Sequence, residues 1–207
     1  YDPHTFDITD LLNKKGEPNT LALKVFKFCD GTWLEDQDMI YDGGIFRDVY
    51  LTSTPVIHIQ DYKLSTNLSD NYDSASADFD LTIQNNSTVS VDNMAAQVAL
   101  YDNNEKLVTT SDAPINTIAS DEKQTSTVTI TIKQPKLWDC DNPNLYTAVI
   151  SLYDKKTGTH YESVSQNIGF RKLTFTSTKV TSDGKYNNAT DYYDTVKLNG
   201  KRLLIKG

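Results

Sequence analysis

Between Cys29 and Val49 the chain reads CDGTWLEDQDMIYDGGIFRDV, and it gathers there the side chains best suited to chemistry: the carboxylates of Asp30, Glu35, Asp36, Asp38 and Asp42. Carboxylates this close together could exchange protons with a bound molecule or offer hard oxygen ligands to a cation. Asp30-Gly31 and Asp42-Gly43 are turn steps, and the stretch follows neither a helical nor an alternating period, so it is expected to be a loop bent at those two points. Long loops held on a rigid scaffold are a usual seat of function. The competing reading is an acidic loop that is simply solvated.

The flanking sequence is the scaffold such a loop needs. In residues 1 to 28, Gly16 to Asn19 reads as a turn, and Leu21, Leu23 and Val25 alternate with Ala22, Lys24 and Phe26, which predicts a strand with one buried face. After the loop, Ile45, Val49 and Leu51 fall on one face of a closing strand. Pro55 removes a ladder donor and marks a boundary. From Val56 onward the pattern becomes short alternating segments: Ile57, Ile59, Tyr62 and Leu64; Ala77, Phe79, Leu81 and Ile83; Ala96, Val98 and Leu100; Val128, Ile130 and Ile132; Tyr146, Ala148, Ile150 and Leu152; and Tyr161 to Ile168. About seven strands over roughly 115 residues, separated by Asn, Asp, Ser and Gly turns, predict an all-β fold built on an immunoglobulin-like β-sandwich, with no helix of normal length.

Composition excludes several classes of function. The 207 residues are 38% hydrophobic and 23% charged with a net charge of -8, as in a soluble globular protein, and that sign argues against nucleic acid or an anionic membrane as partner. No stretch is apolar for long enough to span a bilayer, and YDPHTFDITD carries neither the basic nor the apolar region of a secretory signal. The first residue is Tyr, and the apolar run Leu203 to Ile205 stands directly before Gly207, so the chain reads as a piece of a longer polypeptide. The two cysteines, Cys29 and Cys140, lie beside carboxylates that raise a thiol's pKa, and are expected to be free and unreactive. His4, His58 and His160 stand singly, without metal-ligand spacing, and are expected on strand or loop surfaces.

The motifs together resemble those of family 2 glycoside hydrolases, in their β-galactosidase branch. DGTWLEDQDM and GGIFRDVYL are similar to the end of that family's sugar-binding jelly roll, and Phe6, Ile8, Leu11 and Leu12 to the pattern that precedes it. QPKLWDCDNPNLY, from Gln134 to Tyr146, resembles a "P.LW...NP.LY" signature; Ile168 to Arg171 resembles a "GFR" junction; VKLNGKRLLIKG resembles the strand that leads into the catalytic barrel. The resemblance covers nearly the whole chain and is weakest over residues 65 to 125 and 176 to 194. It implies three parts: residues 1–54, the incomplete end of the sugar-binding jelly roll; 55–171, the sandwich; and 172–207, a short hairpin lead-in to a barrel. Asn199-Gly200 is the hairpin turn of that lead-in, whereas 176 to 194 is polar and expected to be irregular.

The resemblance also assigns roles. A retaining glycosidase needs two carboxylic acids about 5 to 5.5 Å apart, and in this family both come from the barrel, so no catalytic residue is expected here. Asp30 is implied to reach the sugar and help bind Na+ or K+, with Mg2+ a further cofactor of the parent enzyme. Arg47 is implied to hold the loop through an ion pair with a neighbouring acid, Asp42 or Asp48. Trp138 is read as a plug at the end of the sandwich rather than a sugar platform, since a platform would display several aromatics. The implied partners are a galactoside, the remaining domains of the same polypeptide and, for the parent, further copies of itself; the compartment, bacterial cytoplasm or outside the cell, stays open. Three functions follow from this sequence: a non-catalytic portion of a β-galactosidase-like enzyme, a free-standing carbohydrate-binding or adhesion module, or a ligand-free spacer.

Overall fold

Apolar and polar residues alternate most strictly from Ser74 to Asn85, and that segment is the hub of the sheet structure. The computed structural model describes residues 4–28, 30–34, 44–45, 47–180 and 191–204, divided between two units, Tyr1–Thr52 and Ser53–Gly207. In the second unit β1 (Ile57–Leu68), β2 (Ser74–Asn85) and β5 (Lys123–Lys133) form a sheet in the order β1-β2-β5. A second sheet runs β4-β3-β6-β7, from β3 (Met94–Tyr101), β4 (Leu107–Pro114), β6 (Tyr146–Asp154) and β7 (His160–Ile168). All pairings are antiparallel. Seven strands divided in this way are the immunoglobulin-like sandwich that the alternation predicts.

Register decides which face is inside. Ala77 lies opposite Ile130 and Phe79 opposite Val128, so apolar side chains share the inner face with Leu81, Ile83, Val98, Leu100, Ile150 and Leu152, all buried. On the outer face Thr129 and Thr127 donate to Asp78 and Asp80, each at 2.7 Å. A slip of one residue would drive both carboxylates into the core, which is why the register is specified so strongly. Strand β4 escapes the sequence pattern because it is an edge strand: Thr109 to Asp112 need bury little, and pairing with β3 supplies its backbone partners.

The open sides of the sandwich are stitched by side chains. At the bulge between Ile59 and Asp61, the Ile59 amide donates to Glu162 of β7 at 2.6 Å, and the Tyr62 hydroxyl donates to Gln166 at 2.9 Å. Ser126 donates to the Pro114 carbonyl at 3.2 Å on the other side. Asn85, fully buried, donates to the carbonyls of Val89, Ile118 and Ala119 and accepts from the amide and hydroxyl of Ser87, tying two loops together. The histidines divide. His4 and His160 are exposed as expected, but His58 is buried, because the outer as well as the inner face of β1 is covered at its first residues.

Strands β8 (Leu173–Val180), β9 (Asp191–Leu198) and β10 (Lys201–Arg202) form a third sheet, ordered β10-β9-β8. Asn199 and Gly200 have φ of 49° and 78°, the doubly left-handed turn that Asn-Gly favours between paired strands. The expectation of an irregular 176 to 194 is corrected at both ends: Thr176 pairs with Thr195 and Val180 with Asp191, because backbone pairing needs no apolar side chain. Residues 181–190 lie outside the described ones.

In the first unit the expected half-buried strand is not formed. Leu21, Leu23 and Val25 are exposed by 61%, 56% and 49%, and no strand occurs among the described residues there. Ile45, Val49 and Leu51 of the expected closing strand are exposed too. A strand buries a face only when a sheet supplies both its ladder partners and its packing, and the described residues of this unit supply neither. Among its described residues the regular elements are a 3-10 turn at Thr9–Leu11 and one helical turn, α1 (Asp30–Leu34). A loop around Gly16 closes through Asn13, whose amide donates to Asn19 at 2.8 Å and whose side chain donates to the Pro18 carbonyl at 2.7 Å.

Candidate functional site

Asp30 opens α1 and is exposed, where the sequence predicts a loop; one helical turn forms in spite of Gly31. A carboxylate at the first position faces unpaired backbone amides, which favours it there. Glu35, Asp36, Asp38 and Asp42 lie outside the described residues, as does Cys29. Arg47 is exposed beside exposed Asp48. No group of three or more His, Cys, Asp or Glu side chains able to hold a metal ion forms among the described residues. Asp30 could therefore serve a cation only as one ligand among others supplied from elsewhere.

The second constellation lies where the sandwich meets the β8–β9–β10 sheet, and it gathers residues from motifs far apart in sequence. In the crossover between β5 and β6, Pro135 is buried and Leu137 packs against the core. Trp138 is half-buried, as Leu137 is, and the fully buried Phe170 plugs the sandwich with Leu137 packed on the same core. The indole lies outside, between Gly169 and Arg171. A Cβ on Gly169 would stand 3.0 Å from the Cβ of Trp138, which explains the glycine, and the Arg171 guanidinium lies 4.6 Å from the ring centroid as a cation–π partner. The Trp138 amide donates to the Phe170 carbonyl at 2.9 Å, and the Phe170 ring meets Tyr146 edge-on at 5.5 Å. The Tyr146 hydroxyl accepts from the Lys136 amide at 2.8 Å.

Asn199 completes this junction. Its backbone amide donates to the Lys172 carbonyl at 2.9 Å, its Oδ1 accepts from the Lys172 amide at 2.9 Å, and its Nδ2 donates to the Trp138 carbonyl at 2.9 Å. Tyr72, on the turn between β1 and β2, closes over Gly200: a Cβ there would lie 3.0 Å from the Tyr72 hydroxyl. Lys172 also pairs with fully exposed Asp70 at 2.9 Å, and the hydrogen bond and charge of that pair raise the lysine's pKa and lower the aspartate's. Sequence reasoning reads Asn199 only as a turn residue. The signal it lacks is that Asn, unlike the Asp of other turn steps here, can donate as well as accept.

Three further carboxylates serve turns. Backbone amides hold the pKa of Asp102, Asp139 and Asp154 low, chiefly those of Lys106, Asn142 and Thr157 respectively. Cys140 is free and exposed, as expected.

Comparison with known proteins decides the family. Residues 1–55 match the model of the glycosyl hydrolases family 2 sugar binding domain, and residues 57–171 match that of glycosyl hydrolases family 2. The chain belongs to glycosyl hydrolase family 2. Within that family it is 38% identical over 207 residues to a β-galactosidase of Priestia megaterium, covering 100% of this chain and 18% of that protein. A β-galactosidase of Vibrio vulnificus strain YJ016 is 37% identical over 209 residues, covering 99% and 18%. The family 2 chain thus spans 18% of the length of these relatives. Among solved structures, Bacteroides uniformis β-glucuronidase 2, covalently bound to cyclophellitol-6-carboxylate aziridine, aligns with a TM-score of 0.74 at 24% identity, covering 95% of this chain and 22% of that one. A second Bacteroides uniformis β-glucuronidase aligns at 0.65 and 22% identity, covering 81% and 19%. At such identities the likeness concerns the fold alone.

Proposed function

We propose that this family 2 chain is the non-catalytic forward part of a retaining glycosidase that hydrolyses terminal β-D-galactosides. The sandwich is a spacer, and the 29–49 loop helps to complete an active site whose two catalytic acids lie elsewhere in the polypeptide. The observation that carries this reading is identity to a β-galactosidase along all 207 residues at 38%, against 24% for the β-glucuronidase structure. Asp30 supplies one carboxylate ligand toward a monovalent cation at the sugar site; its exposure at the start of α1 supports that role. Arg47 stabilises the same loop, and the chain works joined to the other domains of its polypeptide.

The test has two arms. Purified 207-residue chain is offered nitrophenyl β-galactoside and β-glucuronide at high concentration, and no turnover is expected; turnover abolished by Glu35→Ala or Asp36→Ala would overturn the assignment of catalysis elsewhere. A polypeptide spanning the length of the relatives should prefer the galactoside. In it, Asp30→Asn should raise KM and weaken the dependence on Na+ or K+ with the fold intact. A preference for the glucuronide would refute the substrate, and unchanged cation response would reduce Asp30 to a turn residue.

A further inference from the structure

We infer that Asn199 is the joint that makes the β8–β9–β10 sheet and the sandwich one rigid body, and thereby sets the direction in which the chain leaves the sandwich. Only Gly169 to Lys172 connect β7 to β8 covalently, a link that by itself could bend. Asn199 closes that hinge. Its two bonds with Lys172, one from its backbone and one to its side chain, run in opposite senses and continue the β8–β9 ladder one pair beyond Leu173–Leu198, so they hold the last residue of the link to that sheet. The third bond, to the Trp138 carbonyl, anchors the pair to the crossover between β5 and β6. That crossover is itself held by the Leu137–Phe170 bridge and by Trp138 between Gly169 and Arg171.

The residue type follows from two demands. With φ of 49°, the position excludes most side chains and favours Gly, Asn or Asp. The two side-chain bonds require one acceptor, toward Lys172, and one donor, toward Trp138. Gly offers neither and ionised Asp only the acceptor; Asn offers both. The exposed pair of Lys172 with Asp70 adds little to this, because solvent screens it. The inference does not depend on the substrate proposed above.

The experiment compares the 207-residue chain with its Asn199→Gly and Asn199→Asp variants by residual dipolar couplings and amide hydrogen exchange. Glycine keeps the turn conformation and removes only the side-chain bonds. In the unmodified chain one alignment tensor should fit β1–β7 and β8–β9 together. In Asn199→Gly the β8–β9 couplings should shrink relative to those of the sandwich, while the Lys172 amide, which loses its acceptor, exchanges roughly tenfold faster, the effect of about one net hydrogen bond. Asn199→Asp should lie between, since it keeps the Lys172 bond. Asp70→Asn should change neither readout. A single shared tensor persisting in Asn199→Gly would overturn the inference. So would unfolding of the sandwich in that variant, because none of these bonds lies in its core and Asn199 would then be a folding determinant rather than a joint.

Discussion

Replacing Phe170 with Ala tests the account of the sandwich end most severely. The ring is fully buried, meets Tyr146 edge-on at 5.5 Å, and lies under the crossover that carries Leu137 and Trp138. Truncating a buried Phe costs about 3–5 kcal/mol, of which about 0.5–1.5 is the aromatic pair. Set against the roughly 5–15 kcal/mol that stabilises a typical domain, the variant should fold but only marginally. With a urea dependence of about 2 kcal/mol per molar, the midpoint should fall by about 2 M. Phe175→Ala is the matched control: that ring is 70% exposed, and its loss should cost no more than about 0.5 kcal/mol. Tyr146→Phe isolates the remaining element, because it keeps the ring and removes the acceptor of the Lys136 amide, at about 0.5–1.5 kcal/mol. Equilibrium urea titration in a Trp33→Phe background, where Trp138 is the single tryptophan and is excited selectively, measures all three. If Phe170→Ala and Phe175→Ala shift the midpoint equally, the assignment of Phe170 and Leu137 as the plug is wrong.

Asn85→Ala should destabilise the sandwich by about 1–2 kcal/mol in the same titration, because it removes the bonds Asn85 donates to Val89, Ile118 and Ala119 and takes the acceptor from the Ser87 amide, whereas an exposed Asn such as Asn104 should tolerate the change. Asp102, Asp139 and Asp154 bind a proton less readily when folded than when unfolded; their contribution is complete above the unfolded carboxylate range and is lost as pH falls through their lower folded values. The melting temperature should therefore be flat near neutrality and decline below about pH 4, and replacing all three with Asn should reduce that slope. Gly169→Ala should push the Trp138 indole off its seat, changing its fluorescence and its stacking with Arg171 while β1–β6 keep their chemical shifts.

Much of the sandwich was legible in the sequence, for a definite physical reason. Phe79, Leu81 and Ile83 alternate with Asp80 and Thr82, and a period of two with one buried face admits a single register. Asn199-Gly200 was equally plain, since few dipeptides accept two consecutive positive φ values. Local pattern fails where burial depends on what lies alongside. Strand β4 has no strong alternation because it sits at an edge; His58 is buried although nothing around it in sequence says so; Leu21, Leu23 and Val25 alternate as a strand should yet stay exposed without a sheet to join. The family motifs marked Trp138, Gly169, Phe170, Arg171 and Asn199 as separate signatures. That the indole needs the glycine, and that the asparagine's donor and acceptor fit two carbonyl and amide groups from distant segments, are facts of three-dimensional proximity. Sequence spacing of 27 residues between Lys172 and Asn199, and 61 between Trp138 and Asn199, carries no trace of them. The chain's own residue types determined an all-β sandwich with a tight terminal hairpin; only tertiary packing decided which polar side chain would hold the two together, because hydrogen bonds of fixed length and direction exist only once the strands have brought their ends to one place.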